Sequence, residues 1–253
     1  MKEERFFYVP DAANQLELPE EEAKHAIRVL RLREGDEMFL QDGSGTFYHA
    51  TVSLANNKHC YYTIGETIAQ KRMWRGHIHL AIAPTKMMER MEWMAEKATE
   101  VGFDEITFLD CKFSERKKVR TDRIEKIIVS AFKQSRKGWL PTVNDMIPFE
   151  DFVNKNLPGR KFICHCYNEI AKRDFFSEIS DNLSIRPSDE GMLDNDGSDD
   201  ITVLVGPEGD FSIDEVRMAL DRGYESVSLG TSRLRTETAG LSAVMMSQLA
   251  RRL

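Results

Sequence analysis

The chain has 253 residues, of which 41% are hydrophobic and 30% charged, and a formal net charge of -7. This composition is typical of a globular protein with one large domain or two smaller ones. No apolar run reaches the ~18 residues of a membrane-spanning helix and no secretion signal is recognisable, so we expect a cytoplasmic protein with no membrane partner.

The first 70 residues are predicted to form a small β-rich domain. The segment EMFLQDGSGTFYHATVSLA (37–55) has Asp-Gly and Ser-Gly pairs between apolar runs, which is typical of a β-hairpin. YYTIGETI (61–68) adds a strand, and one short helix begins after Pro19 and ends near Gly35. The pattern changes after AQKRMWRG (69–76), which we interpret as the linker to a second domain.

From residue 77 onward, continuous apolar strands alternate with amphipathic helices, which predicts an α/β domain with a parallel sheet. The predicted strands are HIHLAIAP, EITFL, RKFICHCY, ITVLV and SVSLG. Three helices are predicted to bury the sets Met91, Met94, Ala95, Ala98, Val101; Ile124, Ile127, Ile128, Ala131, Phe132; and Leu241, Val244, Met245, Leu249. The second of these helices begins at Thr121 and stops at Gly138, and the last begins near Thr236.

Charge is distributed unevenly along the chain. Residues 181–200 hold seven acids and one arginine, a net of -6, so the other 233 residues sum to about -1. This acidic segment has the composition of a flexible surface insert. Residues 112–137 hold ten Lys or Arg against three acids, a net of +7. Such a basic stripe indicates a nucleic-acid footprint, although a solvated helix face would have the same composition.

The segment from residue 201 to 224 combines a buried strand, the loop Gly206-Pro207-Glu208-Gly209 and a helix. Ser212 and Glu215 have the spacing of a capping box at the start of that helix. Ligands bind at the carboxyl ends of parallel strands, so this loop is a candidate small-molecule site. It matches neither a dinucleotide fingerprint nor a phosphate-binding P-loop, and a tight strand-to-helix turn remains the alternative.

A second loop, LGTSRLRTETA (229–239), repeats the arrangement of strand, glycine-containing loop and helix. Two such loops from adjacent strands can line one pocket, towards which Arg233 and Arg235 would point. Surface charge, or pairing with Glu237, is the alternative for these arginines.

The four cysteines form no C-x-x-C pair, so neither a disulfide framework nor a zinc ribbon is indicated, and we expect reduced thiols. Cys164, His165 and Cys166 lie on one strand whose side chains alternate between faces, so a core role is favoured over a metal site. No metal is predicted.

GPEG after a strand, followed about twenty residues later by LG…LRTETA, resembles the RsmE family of SPOUT-class methyltransferases. The segments HAIRVLRLREGDEMFLQDGSG, KMMERMEWMAEKATEVG and SERKKVRTDRIEKIIVSAFKQSRKGWLP are similar to other parts of the same family, so the resemblance covers nearly the whole chain. It implies a PUA-like RNA-binding β-barrel at 1–70 and a SPOUT domain at 73–253 with a C-terminal trefoil knot. Asp210, where the family more often has glycine, and the acidic insert are departures.

The resemblance further implies a homodimer that methylates N3 of a uridine in 16S ribosomal RNA of the small subunit, with S-adenosylmethionine as cofactor. The residues expected to bind the cofactor are Leu204, Val205, Gly206, Pro207, Glu208, Gly209, Leu229, Gly230, Arg233, Leu234, Arg235 and Thr236. A third loop at 165–169 would complete the site. Methylation of another RNA position, such as a ribose 2′-oxygen, and a non-catalytic assembly factor remain alternatives.

Catalysis is expected to need a cation near the uracil oxygens and an acceptor for the N3 proton. Arg235 is the preferred candidate for the cation, and Arg233 is the second candidate. Glu237 and Glu208 are candidate bases, although Glu237 also suits the first turn of a helix, and water or a ligand carbonyl could take the proton. The residues expected to bind RNA phosphates are Arg28, Arg31, Arg33, Lys117, Lys118, Arg120, Arg136 and Lys137.

Overall fold

The computed structural model describes residues 4–180 and 197–252. Most of the acidic insert, residues 181–196, lies outside this range. The chain divides into two compact units. The first runs to Arg72 and also contains Val129–Leu140, and the second contains Met73–Ile128 and the described residues from Pro141 onward.

The first unit contains a four-stranded mixed sheet. Its strands are β1 (Phe6–Tyr8), β2 (Glu37–Gln41), β3 (Thr46–Ala55) and β4 (Cys60–Ala69), in the order β1-β2-β3-β4. β1 is parallel to β2, whereas β2, β3 and β4 are antiparallel neighbours, which confirms the predicted hairpin and the strand after it. Alternate residues of these strands, including Phe7, Leu40 and Val52, are fully or almost fully buried in one apolar cluster.

The helix of the first unit is shorter than predicted. Helix α1 (Glu20–Lys24) continues into a π-helical turn (His25–Val29) and stops there, not near Gly35. Two residues later Arg31 adopts the left-handed conformation, with φ 55°. A non-glycine residue in that conformation cannot continue a right-handed helix, so the chain turns towards β2.

The second unit is built on a parallel sheet, as predicted. Its strands among the described residues are β5 (Ile78–Ile82), β6 (Glu105–Asp110), β7 (Thr142–Pro148), β8 (Arg160–Cys164), β9 (Arg173–Asp174), β10 (Ile201–Val205) and β11 (Glu225–Ser228). Their order is β7-β6-β5-β10-β8-β11-β9, and every recorded pairing is parallel. The helices are α2 (Met88–Val101), α3 (Thr121–Gln134), α4 (Phe149–Val153), α5 (Phe175–Ser180), α6 (Ile213–Asp221) and α7 (Thr236–Arg251). The trefoil knot stays a prediction.

Residues 129–140 group with the first unit, although the predicted second domain included everything from residue 73. Lys133 Nζ lies 2.5 Å from Glu22 Oε1, and Gln41 Nε2 donates to the carbonyl of Lys137 at 2.9 Å. These contacts tie the end of α3 to α1 and the loop after α3 to β2. In the part of the chain that the structure describes, no helix combines the length and apolar character needed to cross a bilayer.

Helix α7 buries a different face from the predicted one. Val244 is buried as expected, but Leu241 is only partly buried, and Met245 and Leu249 are 45% and 51% exposed. The buried face consists largely of small and polar residues, namely Thr236, Gly240, Ala243, Ser247 and Gln248. A Cβ atom on Gly240 would lie 2.7 Å from Cδ1 of Ile82, so the absence of a side chain lets α7 approach β5 closely.

We predict that Gly240→Val destabilises the protein by about 1–3 kcal/mol, because the side chains of Leu80, Ile82 and Met94 already surround that point. Such a loss lowers the melting temperature by ~2–4 °C per kcal/mol in a chain of this size. Thermal unfolding followed by circular dichroism measures it. Ser242→Val, at a partly exposed position of the same helix, is the control. Equal melting temperatures for the two variants would contradict the close-packing account.

Candidate active site

Three strands of the second unit end at the same level of the sheet. Val205 of β10 is paired with Cys164 of β8, and Cys164 is paired with Val227 of β11. The loops that follow these strands therefore leave the same edge side by side. The predicted neighbours β10 and β11 are in fact separated by β8, so the loop after β8 lies between the two glycine-containing loops.

These loops enclose a cavity of about 790 Å³, within the range of small-molecule sites. All the predicted cofactor-binding residues line it except Leu204, which is buried in the core, and Gly209. The structure adds wall residues that the sequence did not single out, namely Arg90, Cys164, Lys172, Asp210, Val227, Ser228, Thr231, Ser232 and Ala239, and three from the suggested third loop, His165, Cys166 and Asn168.

Two glycines shape the wall of this cavity. A Cβ on Gly206 would lie 3.0 Å from the backbone nitrogen and the ring of Phe211, so the first loop folds tightly on itself. Gly230 has φ 117°, and a Cβ there would meet nothing within 4 Å. The chain at Gly230 thus exposes backbone to open cavity space, where a ligand can approach closely.

The first loop ends in the predicted capping box of α6. Ser212 Oγ accepts from Glu215 N–H, and the Glu215 carboxylate accepts from Ser212 N–H at 2.7 Å. The other carboxylate oxygen of Glu215 accepts from Lys112 N–H at 2.8 Å. A buried side chain therefore fixes the start of α6 and the loop after β6 together.

Arg90 connects the two candidate bases. Its guanidinium donates to Glu208 Oε1 at 3.0 Å, and its Nε lies 3.9 Å from Glu237 Oε1. Glu208 Oε2 accepts from Lys86 N–H at 3.1 Å, so both oxygens of Glu208 have partners. Glu237 is 7% exposed, and its Oε2 has no hydrogen-bond partner among the residues described.

The arginines of the second loop are not paired with Glu237. Arg233 and Arg235 are exposed, and within residues 4–180 and 197–252 neither side chain makes a hydrogen bond or an ion pair. The arginine that lies beside Glu237 is Arg90, not Arg233 or Arg235. The two guanidinium groups are thus available to a ligand.

A second, more open cavity of about 620 Å³ adjoins the first. It shares Arg90, Arg233, Leu234 and Arg235 with the larger cavity and adds Glu89, Trp93, Glu237 and Thr238. The two spaces meet at the start of α7. Arg235 is therefore a wall residue for a ligand in either cavity.

The end of β8 and the third loop contribute a buried histidine and two thiols, with Cys164 on the strand and His165 and Cys166 on the loop. His165 Nε2 lies 2.7 Å from Ser226 Oγ, and burial lowers the pKa of His165. Burial raises the pKa of the Cys164 and Cys166 thiols, so both are protonated at neutral pH. Nowhere in the described ranges do three His, Cys, Asp or Glu side chains lie close enough to hold a metal ion.

Most of the residues predicted to bind RNA are exposed. Arg28, Arg31, Arg33 and Lys118 are at the surface, whereas Lys117 pairs with Asp110 at 2.6 Å and Arg120 with Asp122 at 2.9 Å. Arg136 pairs with Glu4 at 2.6 Å. The prediction that Lys137 binds an RNA phosphate is corrected by the structure. Lys137 is 8% exposed, and burial lowers its pKa, so its ammonium group cannot reach a phosphate without local opening.

Residues 72–248 match the family model described as an RNA methyltransferase domain, and residues 18–64 match an RNA methyltransferase PUA domain. The chain belongs to the RsmE family of RNA methyltransferases.

Individual relatives of the RsmE family cover almost the whole chain. A probable rRNA methyltransferase from Porphyromonas gingivalis is 39% identical and superposes with a TM-score of 0.82, covering 95% of each chain. A methyltransferase from Legionella pneumophila, solved with bound S-adenosylmethionine, is 26% identical with a TM-score of 0.82, covering 99% of this chain and 100% of that one. Ribosomal RNA small subunit methyltransferase E of Rickettsia conorii is 25% identical over 93% of this chain and 90% of its own length.

One sequence signal could have found Arg90 in this RsmE-family chain. β5 is the neighbour of β10, so the segment after β5 leaves the same sheet edge as the three cavity loops. Arg90 lies in the first turn of α2, shortly after that strand. The rule that ligands bind at carboxyl strand ends therefore applies to it, but the strand order that makes β5 and β10 neighbours was unknown.

We predict that Arg90→Gln lowers the free energy of unfolding by about 1–2 kcal/mol, because it leaves the Glu237 carboxylate buried beside no cation. In a Glu237→Gln background the same change costs less than half as much, as urea unfolding of the four proteins in this double-mutant cycle measures. Arg120→Gln, which breaks a pair with Asp122 in which both side chains are exposed, is the control and should leave stability almost unchanged. Additive effects at Arg90 and Glu237 would contradict the coupling.

Proposed function

We propose that the protein transfers a methyl group from S-adenosylmethionine to N3 of a uridine in small-subunit ribosomal RNA. The observation that carries the proposal is the pair of adjoining cavities at the start of α7, one lined by the three strand-end loops and the other by Glu237. Bound S-adenosylmethionine in the Legionella relative supports the cofactor, and the name of the Rickettsia relative supports the class of RNA. The N3 position comes from the resemblance of the loop motifs, and the cytoplasm, where small subunits are assembled, is the expected location.

The larger cavity suits S-adenosylmethionine in size and in chemistry. Its volume of about 790 Å³ is ample for a nucleoside joined to an amino acid. Open space beside Gly230 allows a flat ring to lie against backbone. The wall offers the anion Glu208 to the positive charges of the cofactor and the cation Lys172 to its carboxylate.

The reaction requires the chain to stabilise charge on the uracil ring. When bound, S-adenosylmethionine supplies a methyl group on a sulfonium sulfur, and the breaking carbon–sulfur bond leaves its electron pair on that sulfur. Arg235, which lines both cavities and has no protein partner in the described structure, donates to uracil O2 or O4 and stabilises the negative charge there. Arg233, equally unpaired, stands at the same boundary.

Glu237 accepts the N3 proton. Glu237 lines the smaller cavity beside Arg235, whereas both oxygens of Glu208 already accept hydrogen bonds. The lone pair left on N3 then forms the new nitrogen–carbon bond. Arg90, beside Oε1 of Glu237, holds the carboxylate in place.

The reaction is tested by incubating the protein with isotopically labelled S-adenosylmethionine and unmodified small ribosomal subunits, then digesting the RNA and identifying the labelled nucleoside by chromatography and mass spectrometry. Label in 3-methyluridine is the expected result. Label in a ribose-methylated or other nucleoside would replace the N3 assignment. Absence of label together with absence of cofactor binding would favour the non-catalytic assembly factor.

We predict that Arg235→Ala and Glu237→Gln each lower kcat by about 10²-fold, the usual effect of removing one electrostatic or acid–base group. The dissociation constant for S-adenosylmethionine, measured by calorimetry, should change less for Glu237→Gln, because that carboxylate lines only the smaller cavity. Glu89→Gln, an exposed carboxylate lining the same smaller cavity, is the matched control and should keep kcat. Near wild-type turnover in either variant removes that residue from the mechanism.

For RNA binding we propose phosphate contacts from Arg28, Arg31 and Arg33 in the first unit and from Lys117, Lys118 and Arg120 in the second. All six side chains are exposed. Lys118 makes no ion pair within the described residues, and the partners of Lys117 and Arg120 are themselves exposed, so phosphates can compete for them.

We predict that charge reversal of Lys117, Lys118 and Arg120 to glutamate weakens RNA binding and flattens its dependence on salt. Each lost phosphate contact reduces the slope of log K against log salt by about 0.7–0.9. Binding is measured by fluorescence anisotropy from 50 to 200 mM salt, conditions chosen to span the steep range. Lys155→Glu, an exposed lysine after α4, is the control. An unchanged slope in the triple variant would exclude these residues as the footprint.

We further propose that a second copy of the chain covers the exposed apolar stripe of α7. Leu241, Met245 and Leu249 recur at spacings of four residues, so they lie on one face of the helix. Large apolar side chains that lie exposed in a row on one copy are typical of a surface that another protein covers.

We predict that Met245→Glu with Leu249→Glu yields monomers in light scattering, whereas Phe176→Glu, at a 41% exposed position on α5, keeps the dimer. A wild-type protein that is monomeric at micromolar concentration would overturn the proposal.

A further inference from the structure

One aspartate holds two loops of the larger cavity together. Asp210, in the loop after β10, accepts a hydrogen bond through Oδ2 from the backbone N–H of Cys166 at 2.8 Å. Its Oδ1 accepts from the backbone N–H of Phe211, also at 2.8 Å. Cys166 belongs to the loop after β8, so a single carboxylate joins the ends of neighbouring strands.

The bond to Cys166 takes over where the sheet ends. β10 and β8 pair through Val205 and Cys164, and both strands stop there. Beyond that level Cys166 N–H has lost the strand partner that would satisfy it. A backbone donor without a partner is unfavourable, and a carboxylate acceptor is among the stronger ones. Asp210 therefore holds together the two segments that follow β10 and β8, beyond the last backbone hydrogen bonds of the sheet.

A second contact runs between the same two loops. Tyr167 Oη donates to the backbone carbonyl of Phe211 at 2.8 Å, and Tyr167 N–H donates to His165 Nδ1 at 3.2 Å. His165 and Cys166 line the cavity directly. The position of this part of the wall thus depends on residues 210 and 211.

The backbone at Asp210 is in an unfavourable conformation. It has φ 69°, in the left-handed region, which aspartate tolerates better than most residues and glycine adopts freely. Glycine would therefore suit the backbone better, and the side chain must be explained by what it binds.

We propose that Asp210 is a positioning residue that closes the cofactor cavity by fixing the loop after β8 against the loop after β10. The cofactor in this statement rests on the proposed function, whereas the closure of the loops does not. Asp210 acts through Cys166 and Phe211, by setting where the cavity wall stands.

The test compares Asp210→Gly, Asp210→Asn and the unaltered protein. Glycine removes both acceptors and also removes the backbone strain, so a role limited to strain predicts normal or improved behaviour. Asparagine tolerates the left-handed conformation and keeps one acceptor oxygen for Cys166. We expect Asp210→Gly to raise the dissociation constant for S-adenosylmethionine ~10-fold in calorimetry with kcat at saturating cofactor within ~2-fold, and Asp210→Asn to stay within ~3-fold of the unaltered protein. Cofactor affinity of Asp210→Gly equal to that of the unaltered protein, or of Asp210→Asn as weak as that of Asp210→Gly, would overturn the role.

A second measurement needs no cofactor. N-ethylmaleimide labels the cysteines at pH 8, and mass spectrometry of peptides gives the rate at each one. Cys164 lines the cavity, and Cys111 is buried elsewhere in the same unit. If Asp210 closes the loops, Asp210→Gly increases the labelling rate of the partly exposed Cys164 ~10-fold relative to the buried Cys111, because separation of the two loops makes the Cys164 sulfur more accessible. Equal increases at both cysteines, or none, would overturn the proposal.

The two readouts separate the two proposals. Failure of the unaltered protein to bind S-adenosylmethionine would remove the cofactor assignment, and the labelling rates would still decide whether Asp210 closes the loops. Asp214→Asn, an aspartate 71% exposed in the first turn of α6, is the matched control and should leave affinity and labelling unchanged.

Discussion

The common register of β10, β8 and β11 is the constraint on which the site depends. Because Val205, Cys164 and Val227 are paired across the sheet, three loops begin at one level and can enclose a single space. A shift of one strand by two residues would move its loop by about two strand rises, roughly 7 Å, and open the wall. β10 is buried along its whole length, so the core of the sheet holds the register of this strand and with it the level at which its loop begins.

The three arginines around the start of α7 differ in whether they are paired with carboxylates. Arg90 is engaged by two carboxylates, while Arg233 and Arg235 have no partner among the residues that the structure describes. Exposed, unpaired guanidinium groups beside a cavity favour an anionic or electron-rich ligand. Arg90 therefore balances the charge of Glu237, and the guanidinium groups of Arg233 and Arg235 stay available to a ligand. This arrangement is consistent with binding a nucleic acid beside a cofactor.

The sequence predicted the parallel sheet, the hairpin, the capping box and the two glycine-containing loops, because each depends on local pattern. It did not predict that β8 separates β10 from β11, since strand order depends on tertiary packing. Arg90 was missed for the same reason. The exposed face of α7 was assigned wrongly because hydrophobicity alone marked Met245 and Leu249 as core, whereas the close approach at Gly240 selects the small-residue face.

Gly240, which makes the close contact with β5, lies about one turn from Glu237 on the same helix. The depth at which α7 lies against the sheet thus sets how far its first turn, with Thr236 and Glu237, extends over the two cavities. A change in the packing between α7 and β5 should therefore also change the position of Thr236 and Glu237 relative to a ligand. Substitutions around Leu80, Ile82 and Gly240, none of which lines either cavity, should be recovered in a genetic screen for lost activity even when the variant proteins remain folded and abundant.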